Sequence, residues 1–409
     1  MELEIFYLAL VFSVIIAALW MKRPLCVAIF CGIAAAVLLF RLPFIPTLKI
    51  IAEASVNRET ISVLLAFYVI TILQRMLEDR DRLNQAQRSF DAVFEDSRVN
   101  VSFSTSILGL LPSAAVMNIC AAVVDKTCGS YLSVSEKMFT ACFCRHIPEM
   151  FLPTFSSILL ALTLSQTNAS IFVLAMLPMV ATAYLLAFVF YLHKMPSRTE
   201  KAARKDSDIT KRRHVLNIIK NLWSLIAVVL LIILFNLTVY ASSLIVVIPL
   251  FFLDRFSFSD IPSLLRRAAE PFVLFSMYLI MIFKAVITST GVVALLPGFF
   301  SQFPIPIMLS FALIFFFGSI VSGSQAIIAL CLPMAIAAIP DGGIPMLVIL
   351  MSFAWAAMQI SPTHVCSFIA AEYFHRSLKD LIVKTLPVSL VFCVFAYAYG
   401  SLLALFFHH

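Results

Sequence analysis

The sequence predicts an all-α polytopic membrane protein made of two inverted repeats, with about ten transmembrane helices and two re-entrant helical hairpins. Three observations carry that expectation. Of 409 residues, 62% are hydrophobic and only 12% are charged, and the mean hydropathy is +1.02. A soluble domain of this size could not cover its surface with so few charges. Apolar runs near the roughly 20 residues that cross a bilayer recur along the whole length. Finally, two apolar runs are broken by small and polar residues at corresponding places in the two halves.

Full-length spans are expected at 3–20, 24–41, 59–77, 133–165, 168–192, 216–236, 238–253, 271–289, 344–374 and 385–407. The first run reads as a span and not a signal peptide. Glu2 and Glu4 lead it, and no small-x-small cleavage site precedes Lys22-Arg23-Pro24. The runs 99–124 and 304–339 break at Leu111-Pro112-Ser113-Ala114-Ala115 and at Gly318-Ser319-Ile320-Val321-Ser322-Gly323-Ser324-Gln325. Each half-run is about a dozen residues, too short to cross. Irregular backbone at membrane depth persists only within protein or beside a water-filled cavity, so both runs are expected to enter and leave on one side.

The distribution of basic residues fits this layout. With the N-terminus outside and the hairpins not crossing, 24 of the 29 Lys and Arg fall in cytoplasmic segments. Only Arg41, Lys49 and Arg58 fall outside, and Arg145 and Lys284 lie within spans. Both termini are therefore expected outside. The net charge of +7 follows topology and does not indicate nucleic acid. The nine cysteines are scattered, mostly in apolar runs, and Cys142-x-Cys144 lacks a partner set, so no metal is expected.

The stretch 194–215 is the most polar and most basic, and reads as a flexible cytoplasmic linker between repeats at 1–193 and 216–409. The halves correspond in register. Amphipathic stretches end at Glu59 and Glu270, Gly109 and Gly318 lead into the hairpin breaks, and Pro148 and Pro362 centre two long spans, at offsets of 211, 209 and 214 residues. Each half has an odd number of crossings, which inverts the second relative to the first. Inverted repeats with broken helices are the pattern of secondary transporters.

Chemistry is expected where the four broken elements meet. The midpoints of the long spans carry Arg145-His146-Ile147-Pro148-Glu149 and Gln359-Ile360-Ser361-Pro362-Thr363-His364-Val365-Cys366. Ionisable residues inside a membrane are costly and mark a pathway or a site. Ser361 before Pro362 reads as an N-cap with proline at the first helical position. A helix restarting there aims N–H groups and a positive dipole end into the membrane centre. The hairpin tips offer Ser113, Ser322, Gly323 and Ser324 in the same way, with Asn118 and Gln325 beside them. The Arg145 guanidinium matches a carboxylate or oxyanion, while exposed carbonyls at the breaks suit Na⁺. Blander readings stand beside these. Arg145 and Glu149 also fit a structural ion pair, and His146 and His364 fit hydrogen-bonded core histidines. Asn118 and Gln325 also suit helix packing, and Lys284 snorkelling to the interface.

The two motifs, followed by Glu372-Tyr373-Phe374, resemble signatures of a prokaryotic integral membrane family known as domain of unknown function 401. The similarity covers nearly the whole chain. That family resembles the ion transporter superfamily, which includes citrate, gluconate, dicarboxylate, arsenite and Na⁺/H⁺ antiporter families. The resemblance implies a homodimer in a prokaryotic inner membrane, with a scaffold and an elevator-type moving domain that holds both hairpins. In one respect the chain departs from the pattern. The first tip lacks the glycines of its relatives, which puts its binding residues in doubt.

The expected function is secondary transport of a small anion, an organic carboxylate by preference, coupled to Na⁺ or H⁺. Arg145 would attract the anion, and Ser113, Ser322, Ser324, Ser361 and Thr363 would contact it. His146, Glu149 or His364 would carry a proton. The rival within transport is cation/proton antiport. The rival outside it is an intramembrane enzyme with Ser361 as nucleophile and His364 as base.

Overall fold

The computed structural model describes residues 2–93, 96–110, 116–197, 208–300, 302, 304–362 and 364–407. They form twenty α-helices joined by turns and short 3-10 segments. The first ten are α1 (Glu2–Trp20), α2 (Leu25–Leu39), α3 (Phe44–Val56), α4 (Arg58–Asp79), α5 (Arg82–Val93), α6 (Ser97–Gly109), α7 (Val116–Cys128), α8 (Val134–Arg145), α9 (Ser156–Ser165) and α10 (Ala169–Phe190). The second ten are α11 (Asp208–Phe235), α12 (Val239–Leu253), α13 (Ile261–Ala268), α14 (Pro271–Ser289), α15 (Leu296–Phe300), α16 (Ile307–Ser322), α17 (Ser324–Ala338), α18 (Gly343–Met358), α19 (Val365–Tyr373) and α20 (Leu378–Phe407).

Side-chain caps set several starts. Asn57 accepts from the Thr60 N–H at 2.7 Å and begins α4. Ser133 and Glu136 form a reciprocal capping box at α8, and Asn168 accepts from the Ser170 N–H at 2.8 Å to begin α10.

Among the described residues six helices, α1, α4, α10, α11, α14 and α20, are long and apolar enough to cross a membrane. The long spans expected at 133–165 and 344–374 are each two helices, α8 with α9 and α18 with α19, interrupted near their midpoints. The spans expected at 24–41 and 238–253 are shorter. α2 and α12 have 15 residues each, roughly 22 Å of helix against a hydrocarbon core of about 30 Å. Left-handed residues end both: Arg41 at φ 50° after α2 and Arg255 at φ 54° after α12.

Both ends of the stretch 194–215, expected as a linker, are structured. Its start is held down, with the Arg98 side chain donating to the Met195 carbonyl at 2.8 Å and Lys194 reaching Glu136 at 2.7 Å. Its end is already helical from Asp208, because α11 extends its basic first turns beyond the apolar run.

Two groups of helices result, interleaved along the chain. α1–α5 pack chiefly on one another and on α11–α14, while α6–α10 pack chiefly on one another and on α16–α20. α4 against α9, α10 against α11, α1 against α16 and α14 against α17 bridge the groups, along with the sequence-adjacent α5 and α6. Within the second group α6 packs on α7 and α16 on α17, the two expected hairpins. α18 lies at the centre of this group, and every residue from Ile344 to Met358 is buried.

Candidate functional site

The site is built at the two interruptions. α8 stops at Arg145, the chain turns through a 3-10 segment at Pro148–Met150, and α9 resumes at Ser156. Pro148 has no N–H to continue the ladder, and Pro153 follows in the same turn. α18 stops at Met358 and α19 begins at Val365, with Pro362 between them.

At the first stop, Arg145 and His146 are both buried. Arg145 Nη1 lies 2.8 Å from His146 Nε2 and 3.4 Å from Cys366 Sγ. His364 Nε2 lies 3.0 Å from His146 Nε2, with the rings edge to face at 4.7 Å. His146 Nδ1 is 2.6 Å from the Cys142 carbonyl. A carbonyl only accepts, so Nδ1 carries the proton and Nε2 presents its lone pair. Arg145 and the His364 Nε2–H then both donate to that lone pair. The Glu149 carboxylate stands 4.0 Å from the same nitrogen.

The surrounding helices hold this cluster through additional hydrogen bonds to backbone carbonyls at the C-terminal end of α8. The Trp355 indole N–H donates to the His146 carbonyl at 2.7 Å. The Ser106 hydroxyl of the first hairpin lies 2.7 Å from the Cys144 carbonyl, and the Tyr184 hydroxyl donates to Ser106 at 2.8 Å. Gly109 lets the hairpin approach closely: a Cβ there would lie 1.9 Å from the Arg145 carbonyl oxygen.

On the other side of Glu149, α17 and α9 start side by side. A single residue, Gly323 at φ +84°, separates α16 from α17, a conformation L side chains rarely adopt. Neither α17 nor α9 carries a side-chain cap, so free N–H groups and positive dipole ends remain there. A crevice between them is lined by Glu149, Ser157, Ser324, Trp355 and Met358 among others. It has room for about 10 Å³, roughly one water. A larger cavity of about 350 Å³ lies between the two helix groups, lined by Glu59, Ser62, Thr163, Gln166 and Asn236 among others. Beside it, Lys284 reaches Glu59 at 3.2 Å, so this lysine has an ionic partner within the fold.

Of the residues expected from sequence, Arg145, His146 and His364 come together, and Glu149 and Ser324 line the crevice. Gln325 is half-buried in the first turn of α17, and Asn118 is exposed on α7. The Ser322 hydroxyl turns back to the Gly318 carbonyl at 2.8 Å. Ser113 and Thr363 lie outside the described residues. Ser361 is not the N-cap of α19. That position is His364, and the Ser361 hydroxyl donates to the Ile320 carbonyl at 2.8 Å. The chain makes a further turn after Pro362, with the His364 N–H on the Ser361 carbonyl, before the helix starts.

Sequence reasoning missed Cys366, Trp355 and Ser157. Cys366 stands two positions after His364 in a motif already singled out. Ser157 follows Ser156 directly after the first break, a polar pair at the head of an apolar run.

The sequence profile of the family described as "Protein of unknown function (DUF401)" matches residues 5–402. No curated protein shows significant similarity. The fold is similar to that of the YdaH transporter of Alcanivorax borkumensis. That likeness has a TM-score of 0.55 over 87% of this chain and 85% of that one, at 13% identity.

Proposed function

The chain belongs to the DUF401 family, and we propose that it is a secondary active transporter. It moves a small anion, an organic carboxylate by preference, coupled to Na⁺ or H⁺. The observation that carries this is the pair of uncapped helix starts, α9 and α17, facing one crevice beside buried Arg145 and His146 and half-buried Glu149. Helix N-termini and a guanidinium favour an anion. The carboxylate and the two histidines are groups that can take up a coupling cation or a proton. Ser324 and Ser157 supply hydroxyls at the crevice, and Gly323, Gln325 and Ser361 lie next in the chain to the hairpin tip and the second break. The first tip, with Ser113, and Thr363 complete the binding set.

The chain is read as inverted repeats, 1–193 and 216–409, joined across 194–215. Their support is the order and packing of elements. Each of α1–α10 has a counterpart ten helices on: amphipathic α3 and α13, hairpins α6–α7 and α16–α17, broken α8–α9 and α18–α19. Packing is reciprocal as well. α2 packs on α14 and α12 on α4, α9 packs on α17 and α19 on α7, and α8 packs on α20 and α18 on α10. The group holding both hairpins and both broken helices is the moving body of an elevator, and the other group is the scaffold of a homodimer. Both termini lie outside the inner membrane of a prokaryote. The fold shared with a transporter agrees with this reading.

Thermal stability of the purified protein tests it, with small carboxylates and inorganic anions, each with and without Na⁺. Ligands stabilise by mass action. A Na⁺- or pH-dependent shift with one anion class, lost in Arg145→Ala, is expected. Shifts with cations alone would overturn the anion assignment. They would favour cation/proton antiport, which the 3.0 Å contact between His146 and His364 also suits. In that case Na⁺ alone would dissipate a pH gradient in proteoliposomes. The enzyme alternative is weakened because Ser361 donates its hydroxyl proton to Ile320, the proton a His364 base would have to take.

A further inference from the structure

We propose that His146, His364 and Cys366 form a binding site for a thiophilic divalent cation of the zinc class, where the two interrupted helices meet. Their ligand atoms all lie within 4.8 Å of one another. Tetrahedral zinc holds nitrogen at about 2.0–2.1 Å and sulfur at about 2.3 Å, which puts neighbouring ligand atoms roughly 3.3–3.7 Å apart. The two histidine Nε2 atoms, at 3.0 Å, need to part by only a few tenths of an ångström.

The tautomer is already set. Metal-binding histidines generally donate their other ring N–H to a carbonyl or carboxylate. His146 does this through Nδ1 to the Cys142 carbonyl at 2.6 Å, leaving Nε2 as a lone-pair donor. The same ligand atoms already face a cation, because Arg145 Nη1 is 2.8 Å from His146 Nε2 and 3.4 Å from Cys366 Sγ. Guanidinium and metal therefore compete for one position, and binding must displace the Arg145 side chain.

The charges close around the metal. Binding forms a metal–sulfur bond as the Cys366 thiol loses its proton to water, and the His364 proton moves from Nε2 to Nδ1 so that the Nε2 lone pair faces the metal. Glu149, whose carboxylate stands 4.0 Å from His146 Nε2 and outside the three-residue cluster, would swing in as the fourth donor. One thiolate and one carboxylate balance a doubly charged ion. The ion would link residues 146 and 149 of the first break to residues 364 and 366 of the second. The site stands whether or not the chain carries an anion, because binding is read without transport.

Co²⁺ is the probe, titrated into the purified full-length protein with a phosphine reductant. One Co²⁺ per chain is expected, with the visible bands of a tetrahedral ion and a near-ultraviolet thiolate charge-transfer band, and Zn²⁺ should displace it. Cys366→Ser should remove the charge-transfer band, and His364→Ala should weaken binding by about tenfold or more. Cys393→Ser, on α20, should change neither. Arg145→Gln should tighten binding, a result that a merely structural cluster does not give. X-ray absorption on the wild-type complex decides the question even if a variant misfolds. A first shell with one sulfur supports the site, and a shell of nitrogen and oxygen alone overturns it. An unchanged or weaker affinity in Arg145→Gln would refute the competition between guanidinium and metal.

Discussion

The two interrupted helices share a construction and differ in what their breaks contain. Between α8 and α9 the chain carries His146 and Glu149 directly after Arg145, wound into a 3-10 turn. Between α18 and α19 it carries Gln359, Ser361, Pro362 and His364, with no Asp, Glu, Lys or Arg. The first break holds the charge and the second holds the first in place. Trp355, just before the second break, satisfies the His146 carbonyl, and α18 is buried along its length. A buried charge is tolerable only when its neighbours are fixed. The first break thus bears the charge, and the neutral second break helps to fix it.

This division is open to test through matched substitutions. The largest effect is expected at Arg145, where Arg145→Ala should lower saturable uptake into proteoliposomes about 100-fold, the loss of one charge-assisted contact. Gln359→Ala at the second break should lower it less than tenfold. Equal losses would end the division of labour.

Next come the paired glycines that lead into the hairpin breaks. A Cβ at Gly109 meets the Arg145 backbone carbonyl at 1.9 Å, whereas at Gly318 it meets the movable end of Ile327 at 2.4 Å. Gly109→Ala should destabilise by about 1–3 kcal/mol and Gly318→Ala by less, in denaturation of the purified protein. Trp355→Phe removes the indole N–H and leaves the buried His146 carbonyl with the Glu149 N–H alone, at a cost of about 1 kcal/mol. An unchanged midpoint would mean that the second half does not support the first.

Much of this was legible in the sequence because membrane depth punishes irregular backbone. The breaks at 111–115 and 318–325, and the prolines at 148 and 362, stand out within apolar runs that otherwise have one possible conformation. That the two breaks meet was expected; what was not legible was the direct contact of His146 with His364 and the place of Cys366 beside them. No local periodicity carries that information. The N-cap expected at Ser361 failed for a related reason. Serine before proline is a capping pattern, yet its hydroxyl found a stronger claim in the Ile320 carbonyl of the neighbouring hairpin. α5 was missed because it is polar and amphipathic, and its packing on α11 becomes visible only once the two halves are assembled.

The smallest expected effect concerns the serines that tie each hairpin to a broken helix. In the first half the hairpin reaches out, with Ser106 on the Cys144 carbonyl at the end of α8. In the second half the break reaches back, with Ser361 on the Ile320 carbonyl in the last turn of α16. The first bond is buried and the second partly buried, and Ser361→Ala should cost about 1 kcal/mol. Ser106→Ala should cost somewhat more, because the Tyr184 hydroxyl also loses its acceptor. Denaturation of both variants beside the double variant separates two outcomes. Additive losses mean that the hairpins are anchored independently, as expected for sites without shared partners. A double variant less stable than the sum would mean that the hairpins brace one another through the His146–His364 contact. The two breaks would then act as one unit.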